Sequence, residues 1–427
     1  MDFQPGNNQN NFNNPLNGEN FQAPQNNGQY GYFPPQNYYG QYPQYNQYNQ
    51  FMPPNPMPPV QLPQYPPFVQ MPTVPDVNRM YVDPLVQLKQ CERKELRRRT
   101  RVISIPCIAL MGISAFFVTA LFLILPFFGI RYEDIYNWLS DGAVSLVLNM
   151  VITTLCFGVP FLIAAKAAKF RLSDLIPLSK PKKGTGLPYF LIGISFCAFA
   201  NILSSFADII FDLFGVSYSP GGMQLPEGNL GFIISVLVIS VEPGLMEEFA
   251  FRGVVQGLLR RYGEGFAIMT SAILFGAMHG NLEQIPFAFL VGLVCGFIRY
   301  KTGTMWIACA VHAFNNLLSV VIDFCFDTSS EALSLWYTLY LAAALLLGLV
   351  GAWMLRHDKK MFVFEEPTVK YRETVFDAET GEPYLKDMET VMPLTKKERY
   401  KAVFTHPIVI VFLSFCAYES IQYLAFI

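Results

Sequence analysis

The stretch Glu247-Glu248-Phe249-Ala250-Phe251-Arg252-Gly253 sets the terms for this chain. It closes an apolar run, residues 230–246, long enough to read as a membrane span. On an insertion scale, one acid at mid-membrane costs about 2.5–3.5 kcal/mol. Two adjacent acids there are either functional or caps at the water interface. On a helix, Glu248 and Arg252 are four residues apart and share a face, so they can pair. Glu247 lies about 100° round the helix from Glu248. The spacing predicts one neutralised carboxylate and one left free to act as a general base.

The 427 residues are 52% hydrophobic and only 15% charged. Mean hydropathy is +0.29. These values fit a polytopic membrane protein. A net charge of −2 gives no sign of a nucleic-acid partner. Most of the 8 cysteines fall in apolar runs and none forms a C-x-x-C pair, which argues against a structural zinc site and a disulfide framework. The first apolar run starts near Val102, so no N-terminal signal peptide is expected.

Residues 1–86 are dominated by Asn, Gln, Pro, Tyr and Gly. With too few aliphatic residues to bury a core, they predict a disordered tail of unknown partner. Residues 87–101 form a basic juxtamembrane segment holding Lys89, Arg93, Lys94, Arg97, Arg98, Arg99 and Arg101. The positive-inside rule places it in the cytoplasm, against the lipid bilayer. A transmembrane core is expected over 102–356, with apolar runs at 102–130, 143–165, 187–216, 230–247, 265–280, 285–298, 304–324 and 332–355. Residues 357–405 read as a cytoplasmic loop, with a hairpin-like alternation near 371–384. Residues 406–427 read as a terminal transmembrane helix, diluted by Glu419 and Gln422. The fold class expected is an all-α polytopic membrane protein of about eight to nine transmembrane helices. Charge alternation predicts a cytoplasmic N-terminus, an external C-terminus and residence in the cell membrane.

Two of the 4 histidines lie inside apolar runs. Phe275 and His279 share one helical face at the end of 265–280. His312 and Asn316 are one turn apart in 304–324 and can donate to a single point. A water held between Glu247 and His279 could lose its proton to the carboxylate and attack a peptide carbonyl. His312 and Asn316 would then stabilise the oxyanion, a term of about 3–4 kcal/mol for one good donor. A histidine alone in such a run is more often interhelical hydrogen-bonding glue, but the four residues together favour a site. Metal is the rival reading of the same atoms: Glu247, His279 and His312 could ligate zinc as a His₂Glu set. There is no H-E-x-x-H on one helix to support it.

These residues resemble the three motifs of the CPBP membrane proteases, the group that holds the type II CAAX prenyl endopeptidases and the bacteriocin-processing or immunity proteins called Abi. The first is Glu247-Glu248-x-x-Phe251-Arg252-Gly253. The second is Ser271-Ala272-x-x-Phe275-Gly276-x-x-His279, and the third His312-x-x-x-Asn316. Gly292-x-x-x-Gly296 and Thr302-Gly303-Thr304-x-Trp306 are similar to the family's linker. The resemblance is tight over 241–319. It implies a helical-bundle intramembrane endopeptidase acting on a membrane peptide or protein, lipidated or not. It also implies catalytic roles for Glu247, His279, His312 and Asn316, with Glu248, Arg252 and Phe275 in support and no cofactor. Zinc is the alternative, through Glu247, His279 and His312. A non-catalytic immunity or scaffold protein of the same fold is the competing function. A transporter is disfavoured by the lack of an internal repeat. Glu242 has no role in this reading. Depth along the helices places Glu247 near the cytoplasmic face and His279 toward the far one, so the fourth or fifth helix must be kinked, tilted or partly re-entrant for the two to share a water, with Pro243-Gly244 a candidate kink.

Overall fold

The computed structural model describes residues 83–218, 225–326, 331–422 and 424–426. The expected tail therefore lies outside the described residues, except at its end. There the sequence boundary moves. Asp83 Oδ1 accepts from Leu85 N at 2.8 Å and Pro84 takes the first helical position, a cap-and-proline start. Helix α1, Pro84–Ile124, absorbs the basic segment and most of the first apolar run without a break.

Then come α2 (Tyr132–Ser140), α3 (Gly142–Ala167), α4 (Leu172–Leu175) and α5 (Gly186–Leu213). The short strand β1 is Val216–Tyr218. The motif helix α6 runs as one span, Gly228–Tyr262. It is followed by α7 (Glu264–Ala277), α8 (Gln284–Thr302), α9 (Trp306–Cys325) and α10 (Glu331–Met354). Strands β2 (Thr368–Phe376) and β3 (Pro383–Val391) precede α11 (Lys396–Phe404), α12 (Pro407–Gln422) and β4 (Leu424–Phe426).

The protein is thus a largely helical polytopic membrane protein. Among the described residues, six helices are long and apolar enough to span: α3, α5, α6, α8, α9 and α10. The pair α11 and α12, bent by 69°, makes a seventh if counted together. Of the two other expected spans, the first lies within the unbroken helix α1, Pro84–Ile124, and the fifth is the shorter apolar helix Glu264–Ala277. At 1.5 Å per residue a 14-residue helix reaches only about 21 Å, short of a hydrocarbon core of about 30 Å. On α10, Leu335, Leu339, Leu346 and Leu349 are 60–68% exposed, a face that suits lipid and not water.

The structure is not purely helical. The alternation near 371–384 belongs to a longer antiparallel hairpin, β2 with β3, paired from Thr368↔Val391 to Phe376↔Pro383. Its turn is held by Asp377 Oδ1, which accepts from Glu379 N and Thr380 N. The loop also contains α11, begun by a capping box in which Thr395 and Glu398 satisfy each other's backbone N–H.

One apolar core joins α1, α3, α6, α7, α11 and α12 through Leu96, Phe161, Phe251, Phe275, Val403 and Phe412. A second joins α5, α8 and α9 through Tyr189, Cys197, Val291, Cys295 and Val311. Phe275 and Val311 bring the two cores to the same place, where the motifs meet.

At the basic end, α11 clasps α1 and the end of α6. Glu398 pairs with Lys89 at 2.9 Å and Arg93 at 2.8 Å. Arg399 donates to the carbonyls of Tyr262 and Leu394, and Arg261 pairs with Glu92. Lys89 and the Thr395 N–H pull the Glu398 carboxyl down to about 2 from an ordinary 4.5. A depressed carboxyl contributes stability above its unfolded value and loses it as pH falls through its folded value. Glu398→Gln should therefore lower the melting temperature in detergent by about 1–2 °C at pH 7. That gap should close between about pH 4.5 and pH 2 in a series of thermal melts.

Candidate functional site

The site is built on two irregular stretches of α6. Val236–Val241 and Glu248–Gln256 are π-helical, separated by the α-helical turn Glu242–Glu247. Such widened turns are rare and concentrate at functional sites. Pro243-Gly244, the candidate kink, lies in the α-helical turn between the two π stretches, and α6 runs through it as one span. Pro243 has no N–H to offer Ile239 O, its α-helical acceptor. That carbonyl accepts instead from Asn316 Nδ2 on α9, at 3.2 Å.

Helix α9 comes very close here. Ser240 Oγ donates to Ala313 O at 2.6 Å. A Cβ on Gly244 would lie 2.9 Å from Ala313 Cβ and 3.0 Å from Ala313 N, so only glycine permits this approach. Small residues and interhelical hydrogen bonds are how membrane helices lock together.

The lock brings His312 onto the glutamate pair. Its Nδ1 donates to Glu248 Oε1 at 2.9 Å, and its Nε2 lies 3.7 Å from Glu247 Oε2. Glu248 also faces Arg252, with Nε and Oε2 3.1 Å apart and both side chains at 0% exposure. The contact is an ion pair without hydrogen-bond alignment: among the described residues, Arg252 Nη1 and Nη2 have no hydrogen-bond partner. The guanidinium lies over the Phe275 ring instead, 4.1 Å from its centroid. Glu248 is thus committed to Arg252 and His312, whereas Glu247 keeps 15% of its side chain exposed.

Phe275 is the common neighbour. Its centroid lies 5.0 Å from the His279 ring and 5.9 Å from the His312 ring. His279 stands just beyond the end of α7, in a turn closed by Gly280 at φ +57°. Its Nδ1 donates to Phe275 O at 2.9 Å. A carbonyl can only accept, so the hydrogen is on Nδ1 and Nε2 is left for the site. The remaining motif residues hold α7 in place. Ser271 Oγ donates to Phe251 O at 2.8 Å, inside the second π stretch. A Cβ on Gly292 would lie 3.0 Å from Ala272 Cα.

All seven residues singled out in the sequence sit in this region. Glu247, Glu248, Arg252, Phe275, His279 and His312 are joined by the contacts just described. Asn316 stands one turn beyond His312, with one N–H already given to Ile239 O. The sequence left Glu242 without a role. Its Oε1 accepts from Thr153 Oγ1 and Thr154 Oγ1, at 3.0 and 2.9 Å, so it ties α6 to α3. Among the described residues no three His, Cys, Asp or Glu side chains are placed to hold a metal ion.

Fold and site together define a polytopic helical membrane protein with a buried Glu–Arg–His cluster beside an accessible glutamate. Residues 229–318 match the family model described as Type II CAAX prenyl endopeptidase Rce1-like. That segment holds all seven site residues and nearly coincides with the motif region read from the sequence. Over 91 residues the chain is also 24% identical to the "Putative membrane peptidase YdiL" of Bacillus subtilis. The match covers 21% of this chain and 37% of that relative. No solved structure matches.

A double-mutant cycle tests the buried pair. Arg252→Met and Glu248→Gln should each cost about 3–5 kcal/mol, because each strands a buried charge. The double variant should cost clearly less than their sum when unfolding is followed in mixed micelles. Additive costs would mean that the two side chains do not interact.

Proposed function

We propose that this protein is an intramembrane endopeptidase that hydrolyses a peptide bond of a membrane-associated peptide or protein through glutamate-activated water. The observation that carries this reading is the division of labour between adjacent acids. Glu248 is spent on Arg252 and His312, while Glu247 is left partly accessible beside a histidine. The matched family and relative support a protease rather than a scaffold.

In this reading Glu247 takes a proton from water as the oxygen bonds to the substrate carbonyl carbon. His279, oriented by Phe275 O, presents Nε2 to the same water. The oxyanion is held by Asn316 through its second amide hydrogen, and by His312. With Nδ1 of His312 turned to Glu248, its help to the oxyanion comes from the Nε2 side. When the carbon–nitrogen bond breaks, Glu247 returns its proton to the departing amine. No metal enters this sequence of steps. The protein sits in the cell membrane with its N-terminus in the cytoplasm, a reading supported by the gathering of Lys89, Arg93, Arg261 and Arg399 at one end.

The test is cleavage by purified protein in proteoliposomes, on a panel of membrane peptides with and without a prenyl group. Glu247→Ala should lower kcat/KM by about 10²–10⁴, and Asn316→Ala by about 10²–10³. Wild-type activity should survive a chelator. Loss with the chelator and rescue by zinc would overturn the metal-free mechanism. Full activity in Glu247→Ala would overturn the assignment of the base.

A further inference from the structure

Helix α12 lies outside the residues that match the family, yet it reaches the site. A Cβ on Gly280 would lie 3.2 Å from Glu419 Cβ and 3.9 Å from Glu419 Cγ. The stem of Glu419 therefore packs on the turn immediately after His279. The turn is itself fixed, with Gly280 N bonded to Ala277 O at 3.1 Å. Strand pairing between β4, just after α12, and β1, just after α5, anchors this end of α12.

Glu419 is the one charged residue in Pro407–Gln422. It is partly buried, and among the described residues it has no hydrogen bond or ion pair. Nor does the neighbouring sequence offer a counter-ion. No Lys or Arg occurs between Arg261 and Arg299, and none follows Lys401. Arg252 is engaged with Glu248 and Phe275, and Arg131 with Asp134 at 2.9 Å. By contrast, Glu242 has two hydroxyls and Glu248 an arginine and a histidine. An ionisable residue on an apolar membrane helix is by default a functional one. Here no partner is found among the described residues, and the stem of the side chain packs on the turn that follows His279.

We propose that Glu419 is a substrate-recognition residue that pairs with a basic side chain, Lys or Arg, of the membrane peptide near the bond to be cut. A single carboxylate suits an ammonium or guanidinium, which it meets with a charge-assisted hydrogen bond. The inference rests on the proposed protease site for the location of the bond, but the pairing itself is a binding event that can be measured without turnover. A lipid amine shares the ammonium chemistry, and the choice of lipid separates the two sources.

The experiment measures binding of fluorescent apolar peptides of about 20 residues to Glu247→Ala protein in nanodiscs of phosphatidylcholine and phosphatidylglycerol. One position, scanned along the peptide, carries Lys, Gln or Glu. At the best position the Lys peptide should bind about tenfold more tightly than the Gln peptide. Adding Glu419→Gln should bring that ratio to within about twofold, and adding Glu419→Lys should shift the preference to the Glu peptide. A Lys preference that persists in both variants, or none at any position, overturns the proposal. A preference that vanishes when phosphatidylethanolamine replaces phosphatidylcholine assigns Glu419 to the lipid and also overturns it. Glu419-dependent binding of a peptide that wild-type protein never cuts sinks the protease reading alone. Cleavage without any basic preference sinks this inference alone.

Discussion

The structure of the site depends on one buried charge cluster. Arg252, Glu248 and His312 meet with exposures of 0%, 0% and 5%. None has water to fall back on, and a lone charge in such a place costs several kcal/mol. Each neighbour of the cluster answers that cost. Phe275 covers the guanidinium whose Nη atoms find no acceptor, and Glu248 serves a cation on one side and an imidazole on the other. The cluster is a poor source of stability and a good source of geometry. It fixes which way His312 faces, and so what stands beside Glu247.

A second constraint follows from the first. His312 reaches Glu248 only if α9 lies almost in contact with α6. That needs Gly244 and Ala313 at the crossing, and it needs backbone groups that can bond between helices. The π stretches supply them. Widening the turns on either side of Glu242–Glu247 alters the regular pattern of carbonyl acceptors, and Ile239 O and Phe251 O accept from Asn316 and Ser271. The residues that look like chemistry in the sequence therefore divide. Some gather around Glu247, and some, such as Ser271, secure the helices that carry them.

Much of this was legible in the sequence because charge and small residues are expensive or useless inside an apolar run unless they act. Glu248 with Arg252 at one helical turn, and His312 with Asn316 at another, need only helical periodicity to be paired. What periodicity could not supply was the π geometry, since nothing in a local residue pattern distinguishes a five-residue from a four-residue hydrogen-bond step. At Pro243 the proline itself is local, but the partner of the carbonyl it frees, Asn316, is on a helix about 75 residues away. Glu242 stayed unexplained for the same reason, its partners Thr153 and Thr154 being on α3. Inside the loop before α12, the start of α11 has a purely local signal, the capping box Thr395-x-x-Glu398.

The segment that matches the family is not a self-sufficient machine in this chain. Residues 229–318 contribute α6 to most of α9, yet what limits their freedom comes from elsewhere. Helix α3 holds Glu242, α5 packs behind α8 and α9, and α1 with α11 grips the basic end of α6 at Leu258 and Tyr262. At the other end, α12 presses on the turn that carries His279. A polar cluster made from three helices needs each held closely in place, and hydrophobic packing against lipid gives no such registration because lipid is as apolar as the helices. The polar clasps at the two ends supply it. Relatives with other appended elements would then keep the same motif residues and differ in how those helices are braced, and in what the rim beside His279 admits.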